Sequence, residues 1–235
     1  MAIYYKYSGD PKLSNSYLYG DHWKNDIGYY IVQGKSQYNH IFGGETWKLP
    51  ICNNCHTSYH QLFNFDLRDP KLAFISDTLY NIPLIGCLNC SESWETFYYS
   101  INNNFVITEL HTNDTQHWIQ NEELQIPVPL PKIQINLIKM TENDIPTDEN
   151  KYYDVLNIFG KNSICRLIGA PLYLQTPIDY ECPKCKKKMM YIATVCSEKK
   201  SHFIDYGLNF DIGDAYYYYM FCDNCKIVKC EMQSL

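Results

Sequence analysis

The sequence predicts an α+β, mostly β fold made of two related halves, each closed by a four-cysteine zinc knuckle. Three observations carry that expectation. Four Cys-x-x-Cys pairs, Cys52/Cys55, Cys87/Cys90, Cys182/Cys185 and Cys222/Cys225, fall two to each half, with spacers of 31 residues (56–86) and 36 residues (186–221). Paired knuckles at such spacing are the usual sequence form of four-thiolate zinc sites. Tyrosine is abundant, 22 of 235 residues, and its ring suits half-buried strands while its hydroxyl seeks water or a partner. Short apolar alternations, punctuated by Pro, Gly and Asn, read as strands throughout. Residues 1–140 form the expected N-terminal half, 141–154 an acidic connector and 155–235 the C-terminal half of one compact unit.

A Cys-x-x-Cys turn places two sulfurs on one side of a tight loop, within reach of one Zn²⁺ at about 2.3 Å, and a second turn completes the tetrahedron. All eight cysteines of the four pairs are therefore candidate ligands, for two Zn²⁺. Four pairs can combine into two sites in three ways; the repeat favours 52/55 with 87/90 and 182/185 with 222/225. Other chemistries compete for these cysteines. Disulfides need an oxidising compartment, and the start, Met1 to Ser8, has no charged segment followed by an apolar run, so a cytoplasmic location is expected. A thioredoxin-like pair accounts for one motif, not four. Cys52-Asn53-Asn54-Cys55-His56 fits the c-type haem attachment pattern, but no other pair is followed by His.

Length and composition set bounds. A chain of 235 residues, 46% hydrophobic and 20% charged, can bury a core without relying on metal for its bulk stability. The formal net charge is −6, and two four-thiolate sites, each about −2 overall, bring it to roughly −10. That argues against a nucleic-acid backbone as main partner and for a basic protein. The cluster Lys184, Lys186, Lys187 and Lys188 reads as a solvated loop offsetting thiolate charge. No apolar stretch reaches the length of a membrane-spanning helix.

In chain order, residues 1–39 read as short strands and loops, including Tyr29-Tyr30-Ile31-Val32, with His22, Trp23 and His40 as packing or pocket residues. Gly43-Gly44 permits positive φ, and Pro50 fixes an extended entry into the first knuckle. Phe63, Phe65 and Leu67 alternate with Asn64, Asp66 and Arg68, the pattern of a half-buried strand. His56 and His60 are four apart, but Cys87 and Cys90 are the better ligand candidates. Pro70 and Pro83 bracket an apolar segment read as a single short helix. Trp94 to Tyr99 and Phe105 to Ile107 read as strands joined by Asn102-Asn103-Asn104. Pro127, Pro129 and Pro131 exclude a helix or a central strand there. Ile133, Ile135 and Leu137 then mark another strand, before the acidic connector.

The second half replays this order. Ile168-Gly169-Ala170-Pro171 leads to Cys182-Pro183-Lys184-Cys185, Met189 to Ala193 follows as an apolar strand, and Tyr216 to Phe221 delivers Cys222-Asp223-Asn224-Cys225. The order reads as an internal duplication, with a period longer than solenoid repeats. Cys165, Cys196 and Cys230 are left over and read as small buried hydrophobes, Cys230 being the best substitute ligand.

The run Ile168 to Pro171, the knuckle Cys182 to Cys185, the strand Met190-Tyr191-Ile192 and Gly213-Asp214 before a Tyr-rich strand resemble the C-terminal part of the YwqG-like family of bacterial proteins. The same pattern of turn, knuckle, strand and Gly-Asp step resembles the programmed cell death protein 2 family. In that family it occurs with paired cysteine motifs, and the family is associated with chaperoning a newly made ribosomal protein. The likeness spans about residues 160–225, and more weakly 40–91. Here Gly169 is followed by Ala170, not a second Gly, and no knuckle has Gly after its second cysteine. The resemblance implies the fold and zinc, and no established reaction.

The expected function is that of a non-enzymatic, zinc-stapled module binding a basic protein, chaperone-like or immunity-like. An enzyme with its site between the halves is the first alternative, with His40, Glu45 and Asp214 as candidates. The sequence lacks Gly-x-Ser-x-Gly, His-Glu-x-x-His and deaminase patterns. A nucleic-acid-binding zinc ribbon is the second alternative.

Overall fold

A computed structural model describes residues 28–111, 118–141, 144, 163–169, 171, 173, 175, 178–197, 212 and 215–234. His22, Trp23, Asp214 and most of the acidic connector lie outside the described residues.

Eleven strands run through the described chain: β1 (Tyr29–Gln33), β2 (Ile41–Phe42), β3 (His60–Asp66), β4 (Asn81–Gly86), β5 (Phe97–Ile101), β6 (Ile107–His111), β7 (Ile133–Lys139), β8 (Cys165–Leu167), β9 (Met190–Val195), β10 (Ala215–Cys222) and β11 (Ile227–Ser234). They join in the order β4-β3-β2-β7-β1-β8-β9-β10-β11-β5-β6, and every strand pair is antiparallel. The mostly β expectation holds. Among the described residues helical structure is confined to short 3-10 turns such as Ala73–Ile75, Ser91–Trp94 and Glu122–Leu124.

Three sequence expectations change, the first at Trp94, read as the start of a strand, which instead ends the 3-10 turn Ser91–Trp94 before β5 begins at Phe97. The segment between Pro70 and Pro83 is not a helix. It makes one 3-10 turn at Ala73–Ile75 and then strand β4, in which Pro83 sits opposite Asn64. A proline is tolerated there because β4 is a sheet-edge strand with hydrogen-bonding duty on one side only. Strand β3 is buried on both faces, not one. Its polar side chains are satisfied internally: Trp47 Nε1 donates to Asn64 at 2.8 Å, and Asp66 accepts two bonds from the Arg68 guanidinium at 2.8 and 2.6 Å.

Burial of both faces follows from how the sheet closes on itself. Tyr219 of β10 donates its hydroxyl to the Ile85 carbonyl at 2.9 Å, and Tyr99 of β5 donates to the Pro83 carbonyl at 2.8 Å. Strand β4, at one end of the sheet order, is thus laid across strands near the other end. The four tyrosines 216–219 are all buried. Alternation sends Tyr217 and Tyr219 toward β4, where Tyr217 rests against Gly86, and sends Tyr218 the other way against Tyr173, ring centroids 5.5 Å apart. The tyrosine-rich strand is therefore core, with its hydroxyls tied to carbonyls of the opposite layer where they can reach.

From the β7/β1 pair the sheet runs β7-β2-β3-β4 to one edge and β1-β8-β9-β10-β11-β5-β6 to the other. Local detail repeats. The β3/β4 ladder skips Leu62 and the β9/β10 ladder skips Ile192. Each of these bulged residues offers its carbonyl to a turn, from Gly43 N at 3.0 Å and from Ile168 N at 2.7 Å. Both turns hold two consecutive residues at positive φ, Gly43 and Gly44 in one, Ile168 and Gly169 in the other. At Gly43 no side chain fits, since a Cβ would stand 2.2 Å from the Pro131 carbonyl oxygen.

Candidate metal centres

Each hairpin carries one knuckle before its first strand and one after its second, so both knuckles meet at the same end. Pairing of β3 with β4 brings Cys52 and Cys55 to Cys87 and Cys90; pairing of β9 with β10 brings Cys182 and Cys185 to Cys222 and Cys225. In each group the four sulfurs lie within 4.8 Å of one another. A tetrahedral site with metal–sulfur bonds of about 2.3 Å has sulfur–sulfur edges of about 3.8 Å. The measured contacts fall just below that: 3.6 Å for Cys52–Cys90, 3.4 Å for Cys55–Cys87, 3.4 Å for Cys87–Cys90 and 3.6 Å for Cys185–Cys222. The eight sequence candidates are thus brought together as two four-cysteine groups with the dimensions of a metal site, grouped within each hairpin.

The leading knuckles are built by the same hydrogen bonds. Cys52 N donates to Thr57 O at 2.8 Å and His56 N to Cys52 O at 3.0 Å; Cys182 N donates to Lys187 O and Lys186 N to Cys182 O, both at 2.9 Å. Tyr59 N reaches Pro50 O at 3.1 Å and Met189 N reaches Tyr180 O at 2.6 Å, and the bridges Ile51–Ser58 and Glu181–Lys188 close the two loops. His56 and Lys186, each directly after the second cysteine, both adopt positive φ. That backbone step turns the chain back toward its strand and aims both sulfurs inward. His56 is exposed and lies outside the four-cysteine group.

Hydrogen bonding from Cys52 and Cys87 holds the Cys90 thiol far below the ordinary thiol range, whereas Cys87, in contact with Cys52 and Cys90 and buried, is pushed up. In the other group the Lys187 backbone N–H lowers Cys185 to about 6, while burial raises Cys222 to about 12. Four clustered thiols share negative charge unevenly; a bound cation is what lets all four ionise.

The two surroundings differ. The second group borders the lysine cluster, whose four side chains are exposed. Lys188 lies over the Tyr180 ring at 4.9 Å, and Lys186 pairs with Glu181 at 3.5 Å. Around the first group runs a strap, residues 118–126, that sequence reasoning missed. Trp118 N donates to Ser91 Oγ at 2.8 Å and Ser91 N to Trp118 O at 2.9 Å, and Gln120 N donates to Asn89 O at 2.8 Å. The Asn89 side chain accepts from Ile126 N at 2.7 Å and donates to Ile126 O at 3.1 Å. His60 completes the tie: its Nδ1 accepts from Leu88 N at 3.3 Å and its Nε2 reaches Ile126 O at 3.2 Å. Both nitrogens are thereby used for packing. A lone Asn inside a knuckle gives no sequence signal for this role.

The three catalytic candidates are not assembled among the described residues. His40 is buried, accepts at Nδ1 from Asp66 N at 3.1 Å and donates from Nε2 to Asp69 at 3.0 Å, so neither nitrogen is free for proton transfer. Glu45 is exposed and Asp214 lies outside the described residues. Cys165, Cys196 and Cys230 are buried and belong to neither group. No described helix is long and apolar enough to cross a membrane. Compared with family models, curated proteins and solved structures, the chain matches none.

Proposed function

We propose that this chain is a non-enzymatic, two-zinc protein that binds a basic protein partner. The observation that carries the reading is the pair of closed four-cysteine groups at equivalent hairpin ends. Tetrahedral all-thiolate sets select zinc or iron–sulfur chemistry, and four protein ligands leave no open position for a reacting water. Each metal would act as a clamp between a leading and a trailing knuckle. The shared bulges, turns and knuckle hydrogen bonds support reading the two hairpins as duplicated copies, and the likeness to the YwqG-like and programmed cell death protein 2 families belongs to the same proposal. Eight thiols kept reduced for metal fit a reducing compartment such as the cytoplasm. Excess acidic charge favours a basic partner through steering.

Native mass spectrometry of protein purified under reducing conditions, with elemental analysis, tests the metal. Two zinc ions per chain are expected, and Cys185→Ser leaves about one. Iron or an all-disulfide mass sinks the zinc reading, and loss of both metals in the variant sinks their independence. Affinity capture at low salt tests the partner: failure to retain any protein above background counts against the binding role.

A further inference from the structure

Beside the first four-cysteine group lies a cavity of about 570 Å³, lined by Cys87, Leu88, Trp94, Trp118, Leu124 and Tyr217 among others. Trp94 and Trp118 stack with centroids 6.1 Å apart and planes 22° apart, yet are 47% and 54% exposed. Ile119 and Leu124 are also exposed beside them. Two stacked indoles half in water form an apolar surface of the kind that anchors binding hot spots. The hydroxyl of buried Tyr217 has no hydrogen-bond partner among the described residues, and an unpaired buried donor carries a desolvation cost that a ligand acceptor removes. No Lys or Arg lines the cavity among the described residues.

Charge says what kind of ligand fits. Residues 72–131, which supply eight of the ten lining residues, contain no Lys or Arg. They hold seven acids: Asp77, Glu92, Glu95, Glu109, Asp114, Glu122 and Glu123. This stretch carries −7, so the remainder of the chain, with 20 basic and 19 acidic residues, balances to +1. The protein's net negative charge therefore falls in the stretch of sequence that supplies most of the cavity lining. Glu95 adjoins Trp94, and Glu122 and Glu123, both exposed, immediately precede Leu124.

We infer that this cavity, resting on the protein-binding role proposed above, receives one aromatic or large aliphatic side chain of a partner segment flanked by Lys or Arg. The anchor packs on Trp94 and Trp118, the flanking cations face Glu95, Glu122 and Glu123, and an acceptor on the bound segment takes the Tyr217 hydroxyl. The strap, the first four-cysteine group and Tyr217 of β10 form the walls, so the site sits beside the first knuckle pair and not beside the lysine-rich second one.

The test is selection from a random peptide library displayed on phage, using the metal-replete full chain, followed by titration of the enriched synthetic peptides. Enriched peptides are expected to carry an aromatic or large aliphatic residue with two or more Lys or Arg within four positions. Trp94→Ala with Trp118→Ala should weaken binding at least tenfold, and Glu122→Gln with Glu123→Gln should flatten its salt dependence. Tyr217→Phe, which removes only the hydroxyl, should weaken it several-fold without lowering thermal stability. Peptides without basic residues, binding indifferent to the two tryptophans, binding of small apolar compounds alone, or no enrichment each overturns the inference. If low-salt capture retains a partner equally on wild type and the tryptophan double variant, this cavity is not the site but the protein-binding role stands; if neither retains one, that role falls as well.

Discussion

At the scale of single residues, the buried polar side chains are scaffold. His40 is held between the Asp66 backbone N–H and the Asp69 carboxylate, which selects the tautomer with hydrogen on Nε2. Burial lowers its pKa below the ordinary 6.5, the Asp69 contacts only partly offsetting this. A histidine with a depressed folded-state pKa contributes stability that is complete above its unfolded value of 6.5 and is lost as pH falls through the folded value. NMR of the imidazole nitrogens is expected to show neutral His40 with an Nε2 proton near pH 6.5 and a midpoint below it; a midpoint at or above 6.5 contradicts this. Asn89 is the other residue of this kind. Asn89→Ala removes two bonds to Ile126 and leaves a partly buried N–H unpaired. It is expected to cost about 1–3 kcal/mol in denaturant unfolding and to raise hydrogen exchange in residues 118–126. Exchange unchanged in that strap would remove Asn89 from its support.

At the scale of elements, the working unit is a hairpin with a knuckle at each end of its open side. Antiparallel pairing sets which knuckles meet, because register puts the residue before β3 beside the residue after β4. The bulges at Leu62 and Ile192 bend each hairpin just beyond its knuckles, and each frees a carbonyl for a positive-φ turn. The first hairpin adds the strap and the tryptophan pair, the second the lysine loop. Two hairpins with like four-cysteine groups thus carry different surface chemistry.

At the scale of the molecule, the four-cysteine groups sit at hairpin ends while the core runs the length of the sheet, from Ile31 through Phe63 and Tyr99 to Val228. Burial on that scale does not depend on two local clamps. Stripping metal with a chelator under reducing conditions is therefore expected to lower the melting temperature and loosen the knuckles while far-UV circular dichroism keeps its β signature. Complete loss of that signature would make metal a condition of the whole fold.

How much of this was legible in the sequence follows from which interactions are local. A Cys-x-x-Cys turn is complete within a few residues, so the eight cysteines and many of the strands bounded by Pro and Gly could be read directly, while the grouping that the sequence only favoured among three was decided by strand pairing. The buried state of β3 could not. Asn64 and Asp66 look solvent-facing until Trp47 and Arg68 are placed against them. Nor could strand β1, near the chain's start, be assigned its place between β7 and β8, since long-range pairing leaves no periodic trace. The tryptophan cavity is the sharpest case: Trp94, Trp118 and Tyr217 are brought together by a strap tied to a knuckle and a sheet closed on itself. Short-range chemistry fixed which residues can bind metal; only tertiary contact decided how they are grouped and which surfaces stayed exposed.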